Sequence, residues 1–148
     1  MDKKSVYSQL LKDLALLLDE ETDPVARMAE AAALIYERTG FFWVGFYRVI
    51  DGELVLGPFQ GPPACLRIAR GRGVCGTAWD KAETVVVPDV EEFPGHIACS
   101  SLSRSEIVVP MILEKEVAAV LDIDSTAIGT FTEEDAGWLE KIVSLILA

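Results

Sequence analysis

The stretch Glu106-Ile-Val-Val-Pro-Met-Ile-Leu-Glu-Lys-Glu-Val-Ala-Ala-Val-Leu-Asp-Ile-Asp124 carries two apolar, β-branched runs around the charged triplet Glu114-Lys115-Glu116, the signature of a β-hairpin. Pro110 in the first run lacks an amide hydrogen and therefore calls for an edge position or a bulge. Asp122 and Asp124 are two residues apart and share one face of the second strand. A three-residue turn at 114–116 pairs Leu113 with Val117 and sets Glu106 opposite Asp124. Glu106, Asp122 and Asp124 then share a face. A two-residue turn slips the register by one and splits the group, and a bulge at Pro110 shifts it too. Three acids in one pocket repel one another and resist burial, which raises at least one pKa and keeps that acid protonated near neutrality. A solvated acidic strand end is the competing reading, and spacing leaves both open.

Working outward, Phe41 to Ile50 is dense in aromatic and β-branched residues, Asp51-Gly52 is a tight-turn pair, and Glu53 to Leu56 returns as a second hairpin. Residues 4–20 carry helical periodicity through Leu10, Leu11, Leu14, Leu17 and Leu18. A second helix opens at Asp23-Pro24, an N-cap followed by proline, and stops at Gly40. A short helix follows Gly73 and carries Cys75 through Ala82, Thr84 to Val87 is a short strand, and Pro88 to Ser105 is a long loop. The last helix starts near Thr132-Glu-Glu-Asp135 and buries Trp138, Ile142, Leu145 and Ile146. Hairpin-joined strands imply an antiparallel sheet, so the expected class is α+β with the helices gathered on one face. One domain is expected over 1–148, with helices in 1–40, sheet and catalytic loops in 41–131, and a closing helix in 132–148.

Composition narrows the function. The 148 residues are 51% hydrophobic and 25% charged, an ordered globular balance. A formal charge of -11 repels phosphate backbones and anionic membranes, and the short Arg67, Arg70, Arg72 group does not offset it. Neither nucleic acid nor a membrane is an expected partner. The first residues carry both charge signs and no apolar core of a signal peptide, so a reducing cytoplasm is the expected compartment.

In that compartment three cysteines, Cys65, Cys75 and Cys99, point to chemistry before structural crosslinks, and all three lie among Gly, Pro or Ser. Gly71-Arg-Gly73-Val-Cys-Gly76 matches a dinucleotide fingerprint but lacks a preceding strand and a βαβ context, so its glycines are read as a tight loop that positions Cys75. His96 and Cys99 are three apart, which admits a Cys₃His zinc site, but no Cys-x-x-Cys pair exists and no metal is expected. His96 is otherwise a loop residue bonded to backbone or water, or a group that favours the Cys99 thiolate. Trp43 and Tyr47 alternate onto one strand face with Gly45 between them. They form either core or an apolar box with a gap for a methyl group or thioether.

Together, Gly57-Pro-Phe-Gln-Gly-Pro-Pro-Ala-Cys65, Gly71 to Gly76, Phe93-Pro-Gly-His-Ile-Ala-Cys99, Ser105 to Pro110 and Val120 to Ser125 resemble the GAF-domain family. Within it the chain is similar to the reductases of free methionine-(R)-sulfoxide. The resemblance covers nearly everything from the second helix onward. It implies a GAF fold, with terminal helices on one sheet face and a ligand pocket under loops on the other. It implies that Cys99 attacks the sulfoxide sulfur and becomes a sulfenic acid, that Cys65 resolves it as a disulfide, and that Cys75 has a supporting or exchange role. It also implies that Glu106, Asp122 and Asp124 hold the sulfoxide and the ammonium, with Trp43 and Tyr47 around the methyl. Thioredoxin is the implied external reductant, with no bound cofactor, and many such proteins form homodimers. The alternative is a non-catalytic GAF sensor that binds a small ligand. A sensor acts on an attached output segment, and the chain ends just after its closing helix, so an oxidoreductase is expected.

Overall fold

The computed structural model describes residues 2–97 and 99–148. Helix α1 (Lys3–Leu17) is capped by Asp2, whose carboxylate accepts from the Ser5 amide at 2.7 Å. Helix α2 (Pro24–Thr39) starts on Asp23 with proline in its first turn and ends on Gly40 in a left-handed conformation, as read from the sequence. Strands β1 (Trp43–Ile50), β2 (Glu53–Gln60) and β3 (Arg67–Ile68) follow, then helix α3 (Gly73–Lys81) and strand β4 (Val85–Val87). The long loop holds a 3₁₀ turn at Val90–Glu92 before β5 (Ser105–Leu113), β6 (Glu116–Ser125) and α4 (Glu133–Leu147).

The strands form one six-stranded sheet in the order β3-β2-β1-β6-β5-β4, antiparallel in every pairing. Both faces are buried. On one, α1, α2 and α4 cover Val44, Phe46, Ile107, Val109, Leu121 and Ile123. On the other, α3 and the connecting loops cover Trp43, Tyr47, Val108 and Val120. The terminal helices therefore gather on one face as expected, while the short helix α3 departs from that grouping and helps roof the opposite face. It does so because Val74, Ala78 and Trp79 make its inner side apolar.

The second hairpin corrects the sequence reading in an instructive way. Its turn has two residues, not three: Leu113 pairs with Glu116, and Glu114 and Lys115 both have positive φ, at 54° and 72°. Such a turn matches the natural twist of a hairpin, which is why the chain accepts two non-glycine residues there. By itself it would set Glu106 opposite Ile123. A bulge restores the lost residue: Ile112 pairs with Val117 but Met111 pairs with Ala119, leaving Ala118 over. From there the ladder runs unbroken to Glu106 opposite Asp124. The bulge lies at Ala118, not at Pro110. Pro110 sits in a paired stretch, but β4 ends opposite Val108, so no strand on that side waits for the amide it lacks.

Candidate active site

Register and face together decide what the sheet presents beneath α3. Trp43 pairs with Asp124 and Gly45 with Asp122 across β1 and β6, while Glu106 pairs with Asp124 and Val108 with Asp122 across β5 and β6. Strand periodicity puts Trp43, Tyr47, Asp122, Asp124 and Glu106 on one side. The loops add Cys65 and Cys99, joined by a disulfide with Cα atoms 5.3 Å apart, and α3 adds Cys75. Trp43, Tyr47, Cys75, His96, Cys99 and the three acids line one cavity of about 40 Å³. That is room for roughly three water molecules.

The acids are not a solvated strand end. Glu106 is 7% exposed and Asp122 5%, while Asp124 remains partly open to the cleft. One oxygen of each buried carboxyl and the Cys75 sulfur lie within 4.8 Å of one another. Burial pushes Glu106 well above the ordinary carboxyl range, and the negative charges of Asp122 and Asp124 push it further. Burial and the Asp122 charge raise Asp124 in the same way. Asp122 is raised by burial, but the Glu106 carboxyl and the Cys75 thiol beside it oppose this as hydrogen-bond donors. An independent geometric sign agrees. Asp122 Oδ1 is buried and, among the described residues, has no hydrogen-bond partner while both carboxyls are ionised. A proton held among these carboxyls is what such an unpartnered buried oxygen calls for, in keeping with the raised pKa values of Glu106 and Asp124.

The cysteines divide by environment. Cys65 and Cys99 are half-buried on loops, whereas Cys75 is 4% exposed. Burial and the neighbouring acids raise the Cys75 thiol well above its usual value, which keeps it protonated and unreactive. A Cys₃His zinc site needs three free thiolates, and two of these sulfurs are bonded to each other.

The glycines of the false dinucleotide motif do position Cys75. The Gly71 amide bonds the Gly76 carbonyl at 2.9 Å, and a Cβ on Gly76 would stand 2.5 Å from the Ala69 carbonyl oxygen. Only glycine lets the loop close this tightly on the start of α3.

The aromatic pair differs from expectation in one respect. Gly45 leaves no gap, because the Trp43 ring lies over it and against Phe59, with centroids 5.2 Å apart. Trp43 and Tyr47 still wall the cavity, 6.1 Å apart by centroid. Their polar ends have a task that spacing did not suggest: Trp43 Nε1 donates to the Pro62 carbonyl at 3.0 Å, and the Tyr47 hydroxyl donates to the Cys65 carbonyl at 2.8 Å. Both bonds pin the loop that carries Cys65. A larger apolar groove of about 540 Å³ lies at the far end, between the hairpin tips and α2 and α4. It holds no cysteine, and its one acid, Glu21, is exposed.

The model of the GAF domain matches residues 21–147. The chain is 48% identical to the free methionine-R-sulfoxide reductase of Escherichia coli (strain K12), over 97% of this chain and 88% of that protein. It is 40% identical to the protein of the same name from Saccharomyces cerevisiae, over 99% and 86%. Among solved structures, free methionine-R-sulfoxide reductase from Neisseria meningitidis, determined in complex with its substrate, superposes with a TM-score of 0.97 at 51% identity, covering 99% of this chain and 89% of that one.

Proposed function

The chain belongs to the GAF-domain family and, within it, to the free methionine-R-sulfoxide reductases, and we propose from this how its residues reduce free methionine-(R)-sulfoxide to methionine. Cys99, as thiolate, attacks the sulfoxide while Glu106 gives its proton to the oxygen. The sulfur–oxygen bond breaks, methionine leaves with the electron pair, and Cys99 keeps the oxygen as a sulfenic acid. Cys65 condenses with that sulfenic acid, releasing water and forming the disulfide. An external dithiol of the thioredoxin type returns both sulfurs to thiols by exchange, in a reducing cytoplasm. No bound cofactor takes part.

The single observation that carries this reading is that Cys99, disulfide-bonded to Cys65, lines one cavity with Glu106, Asp122 and Asp124. A sulfoxide oxygen is a poor leaving group until it is protonated, and a carboxyl with a raised pKa is a competent donor at neutral pH. Asp124, the most open of the three, meets the substrate ammonium with Asp122 behind it, which suits a free amino acid and not a peptide-bound residue. Trp43 and Tyr47 wall the methyl. Cys75 supports the site as a buried thiol beside Asp122. A ligand sensor would have no need of a disulfide above a protonated acid. Cys99→Ser should abolish reduction of free methionine-(R)-sulfoxide without loss of the fold, and Cys65→Ser should complete one turnover and stall as a trappable sulfenic acid. Retained multiple turnover in Cys99→Ser would overturn the assignment.

A further inference from the structure

Two proton movements in this chemistry need a route. Cys99 must lose a proton to attack, and Glu106 must regain the one it gives away while buried beneath the site. Among the described residues, the only basic side chain within ion-pairing distance of the acid trio is His96, whose Nε2 stands 3.9 Å from Glu106 Oε1. Its side chain is 17% exposed against 9% for Glu106, so it bridges the buried acids and solvent. It also lies on the same loop as Cys99, three residues before it, and lines the same cavity.

We propose that His96 is a further catalytic residue: it takes the proton that Cys99 sheds on becoming a thiolate and returns one to Glu106 after the sulfoxide oxygen has been protonated. The proposal rests on the reductase reading above. The balance closes without any additional reagent. Cys99 thiol and His96 give thiolate and imidazolium. Thiolate, sulfoxide and the Glu106 proton give sulfenic acid, methionine and the Glu106 anion. Imidazolium then reprotonates Glu106.

The groups facing His96 suit the task. They are Glu106 from β5, Asp122 and Asp124 from β6, Cys75 from α3 and Tyr47 from β1, with Arg72 at the cavity wall. Burial lowers the His96 pKa, against a smaller opposing pull from Asp122, so the imidazole is a neutral base in the resting enzyme. Adjacent carboxylates stabilise it once it is charged.

The test is single-turnover methionine release by the reduced full-length chain, comparing wild type, His96→Ala and His96→Asn. Wild-type turnover tests the reductase reading by itself. If it holds, both variants should release methionine about 100-fold more slowly, the lower end of the range for a lost acid–base group. Added imidazole should restore His96→Ala by tenfold or more, in proportion to its free-base concentration, with the affinity for methionine-(R)-sulfoxide unchanged. Rates within threefold of wild type would overturn the proposal. So would a slowing that imidazole does not relieve in a folded variant, or one matched by an equal loss of substrate affinity.

Discussion

Glu106 shows how one residue's surroundings set its chemistry. A carboxyl on an exposed strand end is ionised at neutral pH and has no proton to give. Buried beside Asp122 and Asp124, Glu106 keeps its proton far above the usual range. Two consequences have opposite signs. In the proposed mechanism the acid is present below its raised pKa and is lost as pH rises through it, while the Cys99 thiolate is favoured by rising pH. The rate against pH should therefore be bell-shaped. Asp122→Asn removes the nearest negative charge, so the alkaline limb should move to lower pH, as a pH series of single-turnover rates would reveal. Stability follows the same shift. The folded state holds protons that the unfolded state releases, so stability falls as pH rises from the ordinary carboxyl range towards the raised value. Glu106→Gln removes the share of that dependence that Glu106 contributes, leaving the smaller part from Asp122 and Asp124. It should lose about 10²- to 10⁴-fold in activity while unfolding no earlier, and at neutral pH later, than wild type in thermal melts.

At the scale of elements, Glu106, Asp122 and Asp124 are aligned by two irregularities that cancel. The two-residue turn at Glu114-Lys115 removes one residue from the register and the bulge at Ala118 returns it. Ala118 is exposed and has no pairing partner. Deleting it should leave a regular hairpin in which Glu106 still faces Asp124, so activity should persist and melting should fall by only a few degrees. If the turn carried three residues, the same deletion would slip the ladder and scatter the acids onto opposite faces. Activity of the deletion variant thus reports directly on the register. The strands, their order along the chain and the face shared by Asp122 and Asp124 were legible in the sequence, because strand periodicity is local. The turn length and the bulge were not, because a Glu-Lys-Glu triplet is compatible with either count and only pairing across the sheet decides between them.

At the scale of the molecule, the two faces are stabilised by different means. On the helix face Arg27, 8% exposed, ties three segments together: its guanidinium donates to the Leu18 and Glu21 carbonyls after α1 and to the Leu145 and Ile146 carbonyls at the end of α4. Arg27→Met leaves those carbonyls without their charged donor and should cost about 2–4 kcal/mol in denaturant unfolding, with the single-turnover rate unchanged. On the opposite face the Cys65–Cys99 bond closes a span of 34 residues, which the chain-entropy treatment values at about 3–4 kcal/mol. Reduction should lower stability by up to that amount. It should also admit methionine-(R)-sulfoxide to a cavity that, in the disulfide form, holds only a few waters. Calorimetric titration should find substrate binding to the reduced protein and none to the oxidised one.

Local pattern by itself determined a good deal. The helix caps at Asp23 and Thr132, the two hairpins, the placing of Asp122 and Asp124 on one face, and Cys65 and Cys99 on loops with Cys75 at the start of a short helix are all set by residues close in sequence, whose geometry depends on backbone periodicity and turn chemistry. What only the tertiary structure decided is which of these groups meet. Joining Cys65 to Cys99 across 34 residues, burying Glu106 against Asp122 and bringing His96 within 3.9 Å of Glu106 all depend on sheet register and on loops folding over one face. Those contacts turn an ordinary carboxyl into an acid that keeps its proton, because desolvation and like charge act only once the chain has closed around them.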